Sequence, residues 1–176
     1  MAKRPLVPVE GLSKDSQSFY DVLNNESDLG VVLVAASYID ASLGALLQRF
    51  LLESSVATKL LDVKSGPLGS LAPRADACYC LGLVDKRLYQ DLLMIAEIRN
   101  QFAHHHLALS FAVPEVAQQC EKLAYVANLK NGNTDEPLFE PEQPQHPRNS
   151  FVLTVVLISQ RLLLTGLGVK RVQGQV

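Results

Sequence analysis

The chain has 176 residues, enough for one domain with a real core, and 48% hydrophobic against 19% charged residues excludes a disordered polyelectrolyte. A formal net charge of -2 and a pI near 6.1 exclude a surface built mainly to neutralise phosphates, because sequence-independent nucleic-acid affinity comes from clustered Lys and Arg. The charge is uneven: residues 143–176 carry Arg148, Arg161, Lys170 and Arg171 and no acid, so any nucleic-acid contact is expected near that tail.

The opening "MAKRPLVPVEG" has a charged front but no continuous apolar run of signal-peptide length, which predicts a cytoplasmic protein. Ser13 can cap a short helix carrying Phe19, Val22 and Leu23, and Ser27 or Asp28 can cap a second that runs to about Glu53. In the second, Leu33, Ala36, Asp40, Leu43, Leu47 and Leu51 recur at three- and four-residue steps, a core-facing stripe with a carboxylate in it. "KSGPLGSL" breaks the pattern. Ser70 then caps a third helix to about Leu81, ended by Gly82.

Asp85 caps a fourth helix to about His105, whose stripe is Leu88, Leu92, Ile95, Arg99, Phe102 and His106, so Arg99 interrupts it as Asp40 interrupts the other. A fifth helix is expected from Pro114 to about Leu129, with Glu115 favourable near its positive end. "LKNGNTDEPLFEPEQPQHPRNS" reads as a Pro-rich surface loop, after which Ser150 caps the last helix. That last apolar segment, Phe151 to Gly168, has the length of a short membrane span, but Gln160 and Arg161 at its centre predict a buried amphipathic helix and no membrane role. The expected fold is all-α, a single-domain bundle of about six helices: a helical core domain over 1–130, a Pro-rich loop over 131–149, and a C-terminal helix and basic tail over 150–176 packing on the same domain. No internal repeat, trustworthy strand pattern or glycine-rich phosphate loop stands out.

"EIRNQFAHHH", Glu97 to His106, concentrates the chemistry-bearing side chains. An ionised group on a buried stripe costs several kcal/mol unless paired, so Asp40 and Arg99 are each other's most economical partners, and a structural polar cluster of Asp40, Arg99, Asn100 and His104 is expected. The same residues admit a catalytic reading, with His104 as general acid or base and Arg99 steadying a phosphate during metal-independent RNA cleavage. Within one helix that geometry is poor, since Arg99 and His104 lie roughly 140° apart at 100° per residue. Adjacent histidines on a helix diverge in the same way, so no metal site is expected. Cys78, Cys80 and Cys120 are odd in number and lack C-x-x-C spacing, which reads as buried thiols.

From Gly66 to His105, "GPLGSLAPRADACYCLGLVDKRLYQDLLMIAEIRNQFAHH", with "LVAASYIDASLGALLQRFL" before it and "SFAVPEVAQQCEKL" after it, the chain resembles the mannitol operon repressor family of small bacterial transcriptional regulators. The resemblance covers about residues 20 to 127 and implies an all-helical fold and a role in gene regulation. "IRN-x-FAH" alone is similar to the HEPN superfamily, some members of which are RNases; that resemblance implies the alternative of a toxin-type RNase using Arg99 and His104. No convincing helix-turn-helix accompanies the repressor likeness, because the helix carrying Arg99 is largely apolar. Regulation through a protein partner therefore fits better than DNA reading by this chain alone, with direct DNA contact left open. No cofactor is expected, and the apolar surface of Phe151 to Leu164 predicts a homodimer.

Overall fold

The computed structural model describes residues 14–104, 109–124 and 147–174, and every described regular element is a helix. Seven helices are described: α1 (Lys14–Asn25), α2 (Asp28–Phe50), α3 (Ser55–Leu61), α4 (Leu71–Cys80), α5 (Lys86–His104), α6 (Pro114–Glu121) and α7 (Pro147–Gly168). Ser13, the segment 125–146 that holds most of the Pro-rich loop, and His105 and His106 lie outside the described residues. α6 closes at Glu121 with Lys122 as its cap, short of the expected end near Leu129.

α2 is the axis of the bundle and packs against α1, α3, α4, α5 and α7. Ser27 caps it, its hydroxyl accepting from Gly30 N at 3.1 Å. Val31, Val32, Ala35, Ile39, Leu43 and Leu47 are all fully buried, a spread of positions that covers about half the helix circumference at 100° per residue. A helix with neighbours on both flanks has to be apolar over that width. α4 and α5 form a hairpin turned by Gly82, whose φ of 69° lies in the left-handed region that glycine enters without a Cβ penalty. Asp85 caps α5 by accepting from Leu88 N at 2.9 Å.

α7 begins at Pro147, three residues before the expected cap at Ser150. Proline suits a first helical turn, where its missing N–H has no intrahelical acceptor to lose. The sequence predicts a buried amphipathic helix, and the helix is not amphipathic throughout. Residues 148–156 are buried on every side among α1, α2 and α6, whereas the end carries exposed Arg161, Leu163, Leu164 and Leu167. α2 and α7 are each long and apolar enough to cross a membrane by length and composition, and they pack against each other. Phe102, Phe111 and Phe151 pack in sequence with ring centroids 5.7 and 5.3 Å apart, tying α5, the 109–113 loop and α7 into one core.

The short helix α3 was not expected. Its seven residues carry no fully buried side chain, so no apolar stripe announces it; Ser54, accepting from Ala57 N at 3.1 Å, caps it.

Candidate functional site

The side chains singled out in the sequence separate into a buried joint and an exposed helix end. Asp40, midway along α2, pairs with Arg74 of α4, not with Arg99: Arg74 Nη1 stands 2.9 Å from Asp40 Oδ1. The contact is an ion pair without an aligned hydrogen bond to that oxygen, because Nη1 donates to the Asp40 carbonyl at 3.0 Å. Arg74 also donates from Nε to Leu68 O at 2.8 Å and from Nη2 to Leu61 O at 3.1 Å. Leu61 is the last residue of α3, so its carbonyl lacks a helical partner, and the guanidinium supplies one. Only 5% of Arg74 is exposed, and it locks α2, α3, α4 and the loop between the last two. Gly44 permits this approach: a Cβ there would lie 3.1 Å from the guanidinium.

Arg99 is exposed. Its Nη1 donates to Asn100 Oδ1 at 3.0 Å. The expected Asp40 to Arg99 bridge is therefore corrected, and the reason is that Arg74 already holds Asp40. At 100° per residue Arg99 lies between buried Leu88 and Leu92, so its position on α5 faces the core side, yet its long arm runs out to water. Asp40, Arg99 and Asn100 do share a shallow cleft of about 200 Å³ with Ser37 and Ser70. His104 is exposed at the last position of α5 and does not line that cleft. Glu97, next to Arg99's turn, accepts from Gln119 of α6 at 3.0 Å.

Two further charges are buried, and one of them, Arg148, belongs to the basic stretch near which nucleic-acid contact is expected, so its burial withdraws it from such contact. Arg148, 2% exposed, lies 2.6 Å from Asp28 Oδ1 and donates to Leu23 O at 3.1 Å and Glu26 O at 2.7 Å. It thereby closes the C-terminal end of α1 and anchors the start of α7, while Asp28 Oδ2 accepts from Phe111 N at 3.2 Å. Asp91 of α5, 2% exposed, accepts from Ala124 N at 2.9 Å. A stripe test identical to the one that selected Arg99 would have found Arg74, which lies among buried Leu71, Ala75 and Cys78. Arg148 carries no such signal, since it stands beside the Pro-rich stretch.

A cleft of about 590 Å³ opens between α2, α3 and the C-terminal tail, lined among others by Gly44, Gln48, Thr58, Asp62 and Arg171. The Asp62 carboxyl is held below the usual carboxylate range, first by the Ser65 hydroxyl and then by backbone N–H groups of Ser65 and Lys64. Burial pushes the Cys78 thiol up to about 12, and burial followed by the Glu121 charge does the same to Cys120, also to about 12. Neither is a thiolate nucleophile near neutral pH. Cys80, expected to be buried, is exposed. Among the described residues no group of three His, Cys, Asp or Glu side chains could hold a metal ion.

The family model of the mannitol repressor, MtlR, matches residues 17–164. The chain belongs to the mannitol repressor family. A chain in the X-ray structure of the MtlR–HPr complex from Escherichia coli has the same fold, with a TM-score of 0.64, 21% identity, and coverage of 85% of this chain and 99% of that one. A possible transcriptional regulator, YggD from Shigella flexneri 2a, is similar with a TM-score of 0.64 and 16% identity over 86% of this chain and 97% of its own. Comparison with curated proteins gives no match. The mannitol repressor fold thus extends over nearly the whole length of both solved relatives, and in this chain Arg74 and Arg148 fasten its joints.

Proposed function

We propose that this chain is a cytoplasmic transcriptional regulator of the mannitol operon that acts by binding a protein partner and is not an enzyme. The family match over residues 17–164 carries the regulatory part. The partner part rests on the similarity to a chain of the MtlR–HPr complex over 99% of that chain's length, and HPr is the candidate partner. The net charge of -2 and an α5 whose buried face is spent on Leu88, Leu92, Ile95 and Phe102 favour protein contact over a helix laid in a DNA groove. Direct DNA contact is not required by this reading.

Cleavage of RNA would need Arg99 and His104 to act on one phosphate. Arg99 hydrogen-bonds Asn100, and His104 does not line the cleft that Arg99 and Asn100 share. Calorimetric titration of the full chain with HPr from the same organism should give saturable binding, and single-stranded RNA incubated with the chain in metal-free buffer should stay intact. No heat of binding at about millimolar HPr, a free energy weaker than about -4 kcal/mol, would remove the partner reading. RNA cleavage lost in both Arg99→Ala and His104→Ala would replace it with the RNase.

A further inference from the structure

α7 leaves the core before it ends. Ser159, Leu162 and Gly166 face α2, whereas Leu163 and Leu167, 59% and 66% exposed, point to solvent. Beside them on α2 is Tyr38, 48% exposed and stacked on Phe19 of α1 with centroids 4.3 Å apart. Between the C-terminal halves of the two helices runs a groove of about 290 Å³, lined by Ala45, Leu46 and Gly166. A monomer does not ordinarily leave leucines at three- and four-residue spacing beside an exposed tyrosine without a use for them.

The charges at the groove select its occupant. Arg49 lines one wall, where its Nη1 donates to Gly166 O at 2.9 Å, and among the described residues no carboxylate lines the groove. At 100° per residue Leu163, Leu167, Gln160 and Leu164 follow one another round α7, and exposed Arg161 bounds the strip on the far side. Glu53, near the end of α2, is taken by Arg171. An apolar strip between two arginines is complementary to an apolar strip between carboxylates. A second copy laid on this face would set Arg49 and Arg161 against like charges. The segment 1–13, with Lys3 and Arg4 against a single acid, Glu10, has the wrong sign as well.

We infer that the groove between the C-terminal halves of α2 and α7 docks a helix of a partner protein whose apolar strip is flanked by carboxylates. This surface goes beyond the HPr reading and stands or falls separately from it. The probe is a labelled synthetic helical peptide with leucines at i, i+4 and i+7 and glutamates on both flanks, compared by fluorescence anisotropy with its lysine-flanked twin. The full chain should bind the glutamate peptide at least about tenfold more tightly than the lysine one, and added salt should narrow the gap. Arg161→Glu should abolish the preference, and Leu163→Asp with Leu167→Asp should abolish binding while circular dichroism stays that of the wild type. Lys86→Glu, at the start of α5, should change nothing. Equal affinity for the two peptides, or no binding of either at about 1 mM, would overturn the inference. So would self-association, or binding to phosphatidylglycerol vesicles, that Leu163→Asp removes, because the occupant would then be a second copy or a lipid surface. Tighter peptide binding after neutralising Asp135, Glu136, Glu140 and Glu142 would also overturn it, in favour of the chain's own acidic stretch.

Discussion

Arg74 and Arg99 stand on the two helices of one hairpin, each among apolar residues at helical spacing, and they meet opposite fates. Arg74 is 5% exposed and reaches three backbone carbonyls and one carboxylate, on α2, on the end of α3 and in the following loop. Arg99 is exposed and, among the described residues, hydrogen-bonds its sequence neighbour Asn100. Periodicity fixes the direction in which a Cα faces to within several tens of degrees. Whether a long cationic side chain then turns in or out depends on the acceptors opposite, and those belong to other elements. Carbonyls released where α3 ends draw Arg74 inward; α5 presents Arg99 at the rim of a cleft and supplies nothing deeper than Asn100.

That contrast is broken most easily at the buried end. Arg74→Ala should cost about 3–5 kcal/mol in denaturant unfolding, because it strands carbonyls and the Asp40 carboxylate together. Arg148→Ala should cost about as much, since Asp28 and the end of α1 lose their common partner. A loss below about 1 kcal/mol for both would mean that these joints are solvated and the comparison is wrong. Asp40→Ala should cost less, about 1–3 kcal/mol, as Arg74 keeps its carbonyl acceptors. A double-mutant cycle sharpens the point: Asp40 should couple to Arg74 by about 0.5–3 kcal/mol and to Arg99 by less than about 0.5 kcal/mol.

The thiols extend the contrast to groups of one chemistry. Cys80 should react with Ellman's reagent in the native state, and Cys78 and Cys120 only in denaturant, so three reactive thiols at once in the native state would contradict their burial. Both buried thiols have folded values raised from 9.0 to about 12. Their contribution to stability is therefore fully present below about 9 and is lost as pH rises towards 12. Alkaline unfolding should shift upward in Cys78→Ser less than in Cys78→Ala, because only the hydroxyl keeps a buried polar group. Arg99→Ala should be the mildest change, within about 0.5 kcal/mol of wild type.

Much of the fold was legible because caps and stripes are local. Ser27, Asp85 and Gly82 mark their helix ends as their residue types require. Ala36, Leu43 and Leu47 of α2 and Leu88, Leu92, Ile95 and Phe102 of α5 are buried as their spacing demands, while Leu33 and Leu51 are half-buried. What escaped was decided at a distance. α3 packs no buried face, and the start of α7 at Pro147 is fixed by Arg148 gripping Asp28, 120 residues earlier in the chain. Asp40 interrupts its stripe as a carboxylate that needs a cation, and the cation is supplied by α4. Of the apolar segment Phe151 to Leu164 that argues for a dimer, residues 151–156, Ile158, Ser159 and Leu162 are buried within the chain, and Leu163 and Leu164 are exposed. The surface left for a partner lies further on, at Leu163 and Leu167.

The most direct test of a regulator whose Arg99 and His104 do no chemistry is the level of mannitol operon transcript in a strain lacking this gene. The transcript should rise on deletion and be brought back down by the wild-type gene and equally by Arg99→Ala and His104→Ala. An unchanged transcript on deletion, or repression that fails in both substitutions although the proteins fold and accumulate normally, would contradict the regulatory reading.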